Sequence, residues 1–186
     1  MWWAQLLNNI AALFSGGVAA STSSFESIAT ATLAVDSTSI QFTSIPQTYS
    51  SLQIRGIGRS GTSANGPSLY FNNVPSGTSY AYHNLYGDGT SVLAQGYASQ
   101  AYDSSMGILS ATANIFNGFI IDIHDYASTT RNKTTRALTG VDLNGSGSIW
   151  LHSSVFTNTS AITQIDLYNG YTWKAGTTFA LYGIKG

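Results

Sequence analysis

Histidines and carboxylates are the groups here that could move protons or hold a metal, and they crowd at one place. Asp122-Ile123-His124-Asp125 ends a strand-like run. Alternation puts Asp122 and His124 on one face, the arrangement an acid–base or metal pair would need. A polar strand end with a hydrogen-bonded histidine explains the same residues, and no further ligand stands at metal-binding spacing nearby. No metal and no other cofactor is therefore expected. Paired carboxylates for glycoside cleavage would have to come from Glu26, Asp36, Asp88, Asp103, Asp122, Asp125, Asp142 and Asp166. Most of these sit at turns or strand ends, where Asp is favoured because its short side chain bonds nearby backbone. No G-x-S-x-G elbow is present for a serine nucleophile. Gly56-Ile57-Gly58 lies within a strand with no helix after it, so it is not a dinucleotide site. The chain is expected not to be an enzyme.

Aromatic side chains offer a different chemistry. Tyr80, Tyr82, Tyr86, Tyr97 and Tyr102 gather with His83, Asn84 and Asp88 in a Tyr/Ser/Gly-rich stretch of weak periodicity. A tyrosine ring presents a flat apolar face and a polar tip, which suits sugars and protein surfaces. These residues are the candidate ligand or partner contacts; the plainer alternative is that half of them pack the edge of the fold.

Composition narrows the classes. The chain has 186 residues, no cysteine and only 8% charged residues, against about 25% in average domains. That length suits one domain with a short appendage. The net charge of −1 gives no electrostatic case for nucleic acid. Arg131, Lys133 and Arg136 are the one basic cluster, read as an ordinary solvated loop. A surface of Ser, Thr, Asn and Gly with little charge suits packed assemblies and contact with neutral sugars.

The elements that must position these residues are strands. From Phe25 onward the pattern has period two: Phe25, Ser27, Ala29, Ala31, Leu33 and Val35 alternate with polar or β-branched residues. Further strands are expected over 39–44, 51–59, 68–71, 115–126, 133–141, 148–156, 162–168 and 178–184, with one or two within 80–107 beside a long irregular loop. In residues 51–59, Leu52, Ile54 and Ile57 all face inward only if Gly56 makes a bulge. About ten short strands separated by polar turns predict an all-β fold, an antiparallel β-sandwich or jelly roll, over residues 25–186.

The start of the chain differs. In residues 1–15 (MWWAQLLNNIAALFS), Trp3, Leu6, Leu7, Ile10, Leu13 and Phe14 fall on one helical stripe, with Trp2 beside it. A short amphipathic helix is expected there, followed by a linker over 16–24. It has no charged n-region of a secretory signal and is too short to span a bilayer. Its polar face lacks cations for a membrane surface. The stripe is expected to bury against protein, anchoring the chain and joining copies into a homo-oligomer, with a trimeric bundle as the favoured form.

Residues 24–60 (SFESIATATLAVDSTSIQFTSIPQTYSSLQIRGIGRS), 121–140 (IDIHDYASTTRNKTTRALTG) and 177–186 (TTFALYGIKG) together resemble a small domain that recurs in tailed bacteriophages of aquatic bacteria, cyanophages among them. The E-S-I-A-T opening, the F-T-S-I-P corner and the L-Y-G-I-K ending carry the likeness. The resemblance implies a virion structural protein and no catalytic residues. Partners would then be other virion proteins of the capsid or tail. The absence of a shaft repeat leans towards a capsid decoration or cement protein, and the tyrosines towards a tail fibre or tip. A module that binds host-surface carbohydrate is the alternative function.

Overall fold

The computed structural model describes residues 24–63, 66–73 and 77–186. The expected N-terminal helix and most of the linker, with Trp2, Trp3, Leu6, Leu7, Ile10, Leu13 and Phe14, lie outside them. Eleven strands run in chain order: β1 (Phe25–Thr32), β2 (Ser37–Phe42), β3 (Ser51–Gly58), β4 (Ser68–Phe71), β5 (Tyr80–Gly87), β6 (Val92–Gln100), β7 (Asn117–His124), β8 (Lys133–Asp142), β9 (Gly147–Phe156), β10 (Ile165–Trp173) and β11 (Thr178–Ile184). They form an 8-stranded sheet ordered β1-β11-β3-β7-β8-β9-β5-β6 and a 3-stranded sheet ordered β2-β10-β4. Every pairing is antiparallel. Among the described residues β6 is an edge strand, bonded to β5 alone.

Period-two patterning explains which faces meet. Ile40 and Phe42 of β2, Leu69 and Phe71 of β4, and Ile165 and Leu167 of β10 are buried against Leu52, Ile54, Ile121, Ile123, Phe156, Phe179 and Leu181 of the large sheet. Two sheets thus share one apolar core, as in a sandwich. Trp173 is fully buried, and its indole N–H donates to the Leu167 carbonyl at 2.8 Å. The chain reaches it through a disturbed stretch of β10, in which Thr172 adopts φ 73°. At the Pro46 corner, the buried Tyr126 hydroxyl donates to the Pro46 carbonyl (2.6 Å) and accepts from the Tyr49 amide (3.1 Å).

Two expectations need correction. β3 pairs without a break to both β11 and β7, so Gly56 makes no bulge and Ile57 points outward, 48% exposed. What Gly56 provides is space: a Cβ there would lie 2.3 Å from the Phe179 ring. The basic cluster is not simply a solvated loop either. Arg131 pairs with Asp125 at the surface (2.5 Å), but Lys133 is fully buried. Its ammonium donates to the carbonyls of Ser128 (2.6 Å), Arg131 (3.0 Å) and Thr159 (2.8 Å). Burial pushes its pKa below the usual lysine value, against the opposing pull of the Asp125 charge.

Lys133 therefore ties the β7–β8 turn to the segment after β9. Lys133→Met keeps most of the stem and leaves those carbonyls unpaired. It is expected to lower the unfolding free energy by about 3 kcal/mol in urea titrations. A change below about 0.5 kcal/mol, the level of an ordinary surface substitution, would show that the ammonium ties nothing together.

Candidate functional site

The large sheet extends past the small one. Beyond β7 its inner face continues over β8, β9, β5 and β6; Phe71 of β4 still reaches Phe156 and Tyr80 there, and farther out the irregular segment 101–116 takes the place of a facing strand. Ser110, which accepts from the Ser60 amide (3.0 Å), is one of the points where that segment attaches, and Asp103 is another. Its amide and carbonyl pair with the carbonyl and amide of Leu69 (3.1 and 2.9 Å), extending the small sheet by one bridge.

The Asp103 side chain runs the other way, into the large sheet. One carboxylate oxygen, Oδ2, accepts from the hydroxyls of Thr135 on β8 and Ser154 on β9, each at 2.6 Å. The other, Oδ1, accepts from the Ser105 amide (3.0 Å) and lies 2.9 Å from His152 Nε2. Asp103 and Thr135 are fully buried, and His152 and Ser154 almost so. With Nε2 facing a carboxylate, the natural donor is Nε2–H.

Asp103 lies between Tyr102 and Ser104, and the network aims those neighbours into a pocket of about 270 Å³. Alternation on β5 sends Tyr82 and Asn84 to the same side. Tyr82 packs on the His152 ring (centroids 5.0 Å) and on Tyr97 (5.1 Å). A register shift between Tyr80 and Tyr82 marks this pairing, and Ser99 on β6 has φ 57°; such a bulge re-aims the following side chains. Burial holds the Tyr82 phenol above its ordinary pKa, with an opposing hydrogen bond from Ser104. Trp150 stacks on Tyr86 with centroids 4.3 Å apart and planes at 11°. Gly107, at φ 61°, lets the covering segment pass close to Trp150: a Cβ there would lie 2.9 Å from the indole and from Thr139 Oγ1.

The pocket wall is thus made of Tyr82, Tyr97, Tyr102 and Trp150, interleaved with Asn84, Gln95, Gln100 and Ser104. Among its lining residues no side chain is a carboxylate, histidine or lysine. Asn84 Oδ1, with Thr139 Oγ1 and Ser105 Oγ, is buried and has no hydrogen-bond partner among the described residues. Flat aromatic faces with amide donors and acceptors suit a neutral, hydroxyl-rich ligand.

The sequence candidates distribute unevenly around this pocket. Tyr82, Tyr97 and Tyr102 line it. Tyr80 does not; it is core, stacked on Phe156 at 4.7 Å, with its hydroxyl accepting from the Phe71 amide (3.0 Å). His83 falls between two inward residues and so faces outward, over Gly96. Tyr86 braces the site from behind Trp150. Asp88 is a turn residue: Oδ1 accepts from the Thr90 and Ser91 amides (2.9 and 2.7 Å), which holds its pKa below the usual value. Asp122 is engaged by Gln53 (2.6 Å) and Arg136 (3.8 Å) on the opposite face of the sheet. Among the described residues, no group of three or more His, Cys, Asp or Glu is placed to hold a metal. Trp150, Gln95, Gln100 and the Asp103–His152 pair escaped the sequence reading. The alternation in S-I-W-L-H-S-S-V-F, which sets Trp150, His152 and Ser154 on one face, was the signal for part of it.

No protein-family model, curated protein or solved structure matches the chain. The site therefore rests on its own geometry. Asp103→Ala would strip the acceptor from two hydroxyls, an amide and an imidazole at once. It is expected to cost about 3–5 kcal/mol of stability in denaturant titrations, with Asp103→Asn falling between it and wild type. A loss no larger than that of the surface change Asp142→Ala would remove the network from this role.

Proposed function

We propose that this chain is a non-enzymatic virion surface protein of the tailed-phage kind whose sandwich binds a neutral saccharide of the host surface. The pocket of Tyr82, Tyr97, Tyr102 and Trp150 with its interleaved amides carries this reading. Sugars offer apolar C–H faces to aromatic rings and hydroxyls to amides, and a buried, unpartnered Asn84 oxygen is a ready acceptor for such a hydroxyl. The low charge of the chain agrees, since a neutral ligand asks for none. A host-facing position, on a tail fibre or tip, follows more naturally from a ligand pocket than a cement role on the capsid.

The winding supports a jelly-roll assignment. Early and late strands share each sheet: β1, β11 and β3 are neighbours in one, and β2, β10 and β4 make up the other. On this reading β8, β9, β5 and β6 are an extension of one sheet, and the pocket is built on that extension.

A glycan array probed with the purified full-length protein tests the proposal. Binding to neutral glycans is expected, with Tyr97→Ala and Trp150→Ala each raising Kd about tenfold, a loss of about 1.4 kcal/mol. Asp122→Asn, on the far face, should bind as wild type. An array with no bound glycan, or binding indifferent to both aromatic substitutions, would dismiss the pocket as a sugar site.

A further inference from the structure

Two neighbouring rows on the outer face of the large sheet are apolar, where the free face of an antiparallel sheet is ordinarily polar. Adjacent registers place Ile120, Leu138, Leu151 and Leu85 in one row across β7, β8, β9 and β5. A second row, Ile57, Gly118, Gly140 and Ile149, runs beside it. The leucines and isoleucines of both rows are 43% to 59% exposed. The two glycines lower the middle of the second row and open a groove of about 770 Å³ that reaches from Tyr182 to Ile149. Among the described residues, Arg55 is the one charged side chain lining it. That guanidinium is already engaged, by Gln53 and by the rings of Phe25 (4.9 Å) and Tyr182 (5.7 Å).

The stretch of chain outside the described residues joins the domain at this face. Ser24 accepts from the Lys185 amide (3.0 Å), and Phe25 lies opposite Ile184 on the outer side of β1. From Phe25 the near end of the groove, Tyr182, is one strand and two residues away, about 8 Å. From Tyr182 to Ile149 the groove crosses four strand spacings and four residues of rise, about 23 Å. As a helix, residues 1–15 would measure about 22 Å. A chain of nine residues, the length of 16–24, has a root-mean-square span of about 16 Å when it is a coil, enough to bridge the gap without stretching.

We propose that residues 1–15 lie along this groove in their own subunit, with the Trp3, Leu7, Ile10 and Phe14 stripe against Ile57, Leu138 and Ile149. Neither surface asks the other to bury an unpaired charge, since residues 1–15 contain no charged side chain. The short tether raises the local concentration of the segment over that of any second copy. The segment then acts as an additional layer of the fold, instead of the trimeric bundle that its sequence alone suggests.

The absence of cysteine allows a direct test in the full-length chain. Leu138→Cys is expected to react with a maleimide at least tenfold more slowly alone than when combined with Leu7→Asp and Ile10→Asp. Ile120→Cys serves as a second reporter should Leu138→Cys fail to fold. Oxidation of the Ile10→Cys, Leu138→Cys pair is expected to give a disulfide within one chain, running as monomer on a non-reducing gel. Equal labelling rates, or no disulfide within the chain, would overturn the proposal. Disulfides formed only between chains would overturn it too, and return the segment to assembly. None of these outcomes bears on glycan binding, which uses the opposite face of the sheet.

Discussion

One buried carboxylate holds the two halves of this molecule in register. Asp103 bonds the small sheet with its backbone and the large sheet with its side chain. Each carboxylate oxygen has more than one partner, drawn from β8, from β9 and from its own segment. A buried carboxylate is costly unless its lone pairs are filled. Here they are filled by Thr135, Ser154 and His152, polar groups buried on the inner face of the large sheet. The network specifies where the covering segment sits, and thereby where Tyr102 and Ser104 stand in the pocket.

The division of labour between the two faces of the large sheet follows from its excess width. Three strands cannot cover eight. Over β3, β7, β11 and the Phe156 and Tyr80 ends of β9 and β5, the inner face meets the small sheet and is sealed by apolar packing. Over the rest of β5 and β9, and over β6, it meets an irregular segment instead, which leaves a concavity. Loops and extensions carried on a rigid sheet are the usual place for recognition, because they change shape at little cost to the core. The outer face has no such cover among the described residues, yet its rows of Leu and Ile read like an interior. That contrast motivates assigning the N-terminal stripe to it.

Much of the framework was legible in the residues themselves. Alternation located strands such as 68–71 and 178–184 to the residue, because turn residues and β-branched runs bound them sharply. It failed at Ile57, where three apolar residues at uneven spacing suggested a bulge. An outward isoleucine is simpler, but it makes sense only when the apolar outer rows are seen together, and pairing partners distant in sequence create those rows. Lys133 misled for a related reason. A lysine between Asn and Thr looks solvated, and only the closing of the β7–β8 turn over it supplies three carbonyls. The pocket was half visible: the tyrosines announced an aromatic site, but period two separates Tyr82 from His83, and a local cluster in sequence became two faces. Asp103 looked like a turn residue because nothing nearby in the chain foretells partners 32 to 51 residues away.

The position of β6 has a kinetic consequence. This strand carries Gln95 and Tyr97, one wall of the pocket, yet it is held by β5 alone and most of its residues are exposed. Edge strands of this kind open at a fraction of the free energy of global unfolding. The wall can therefore detach and reclose while the carboxylate-pinned floor stays in place. Should the pocket take the proposed saccharide, a chain too long to enter end-on would be admitted sideways, with its capture rate set by fraying of this one strand.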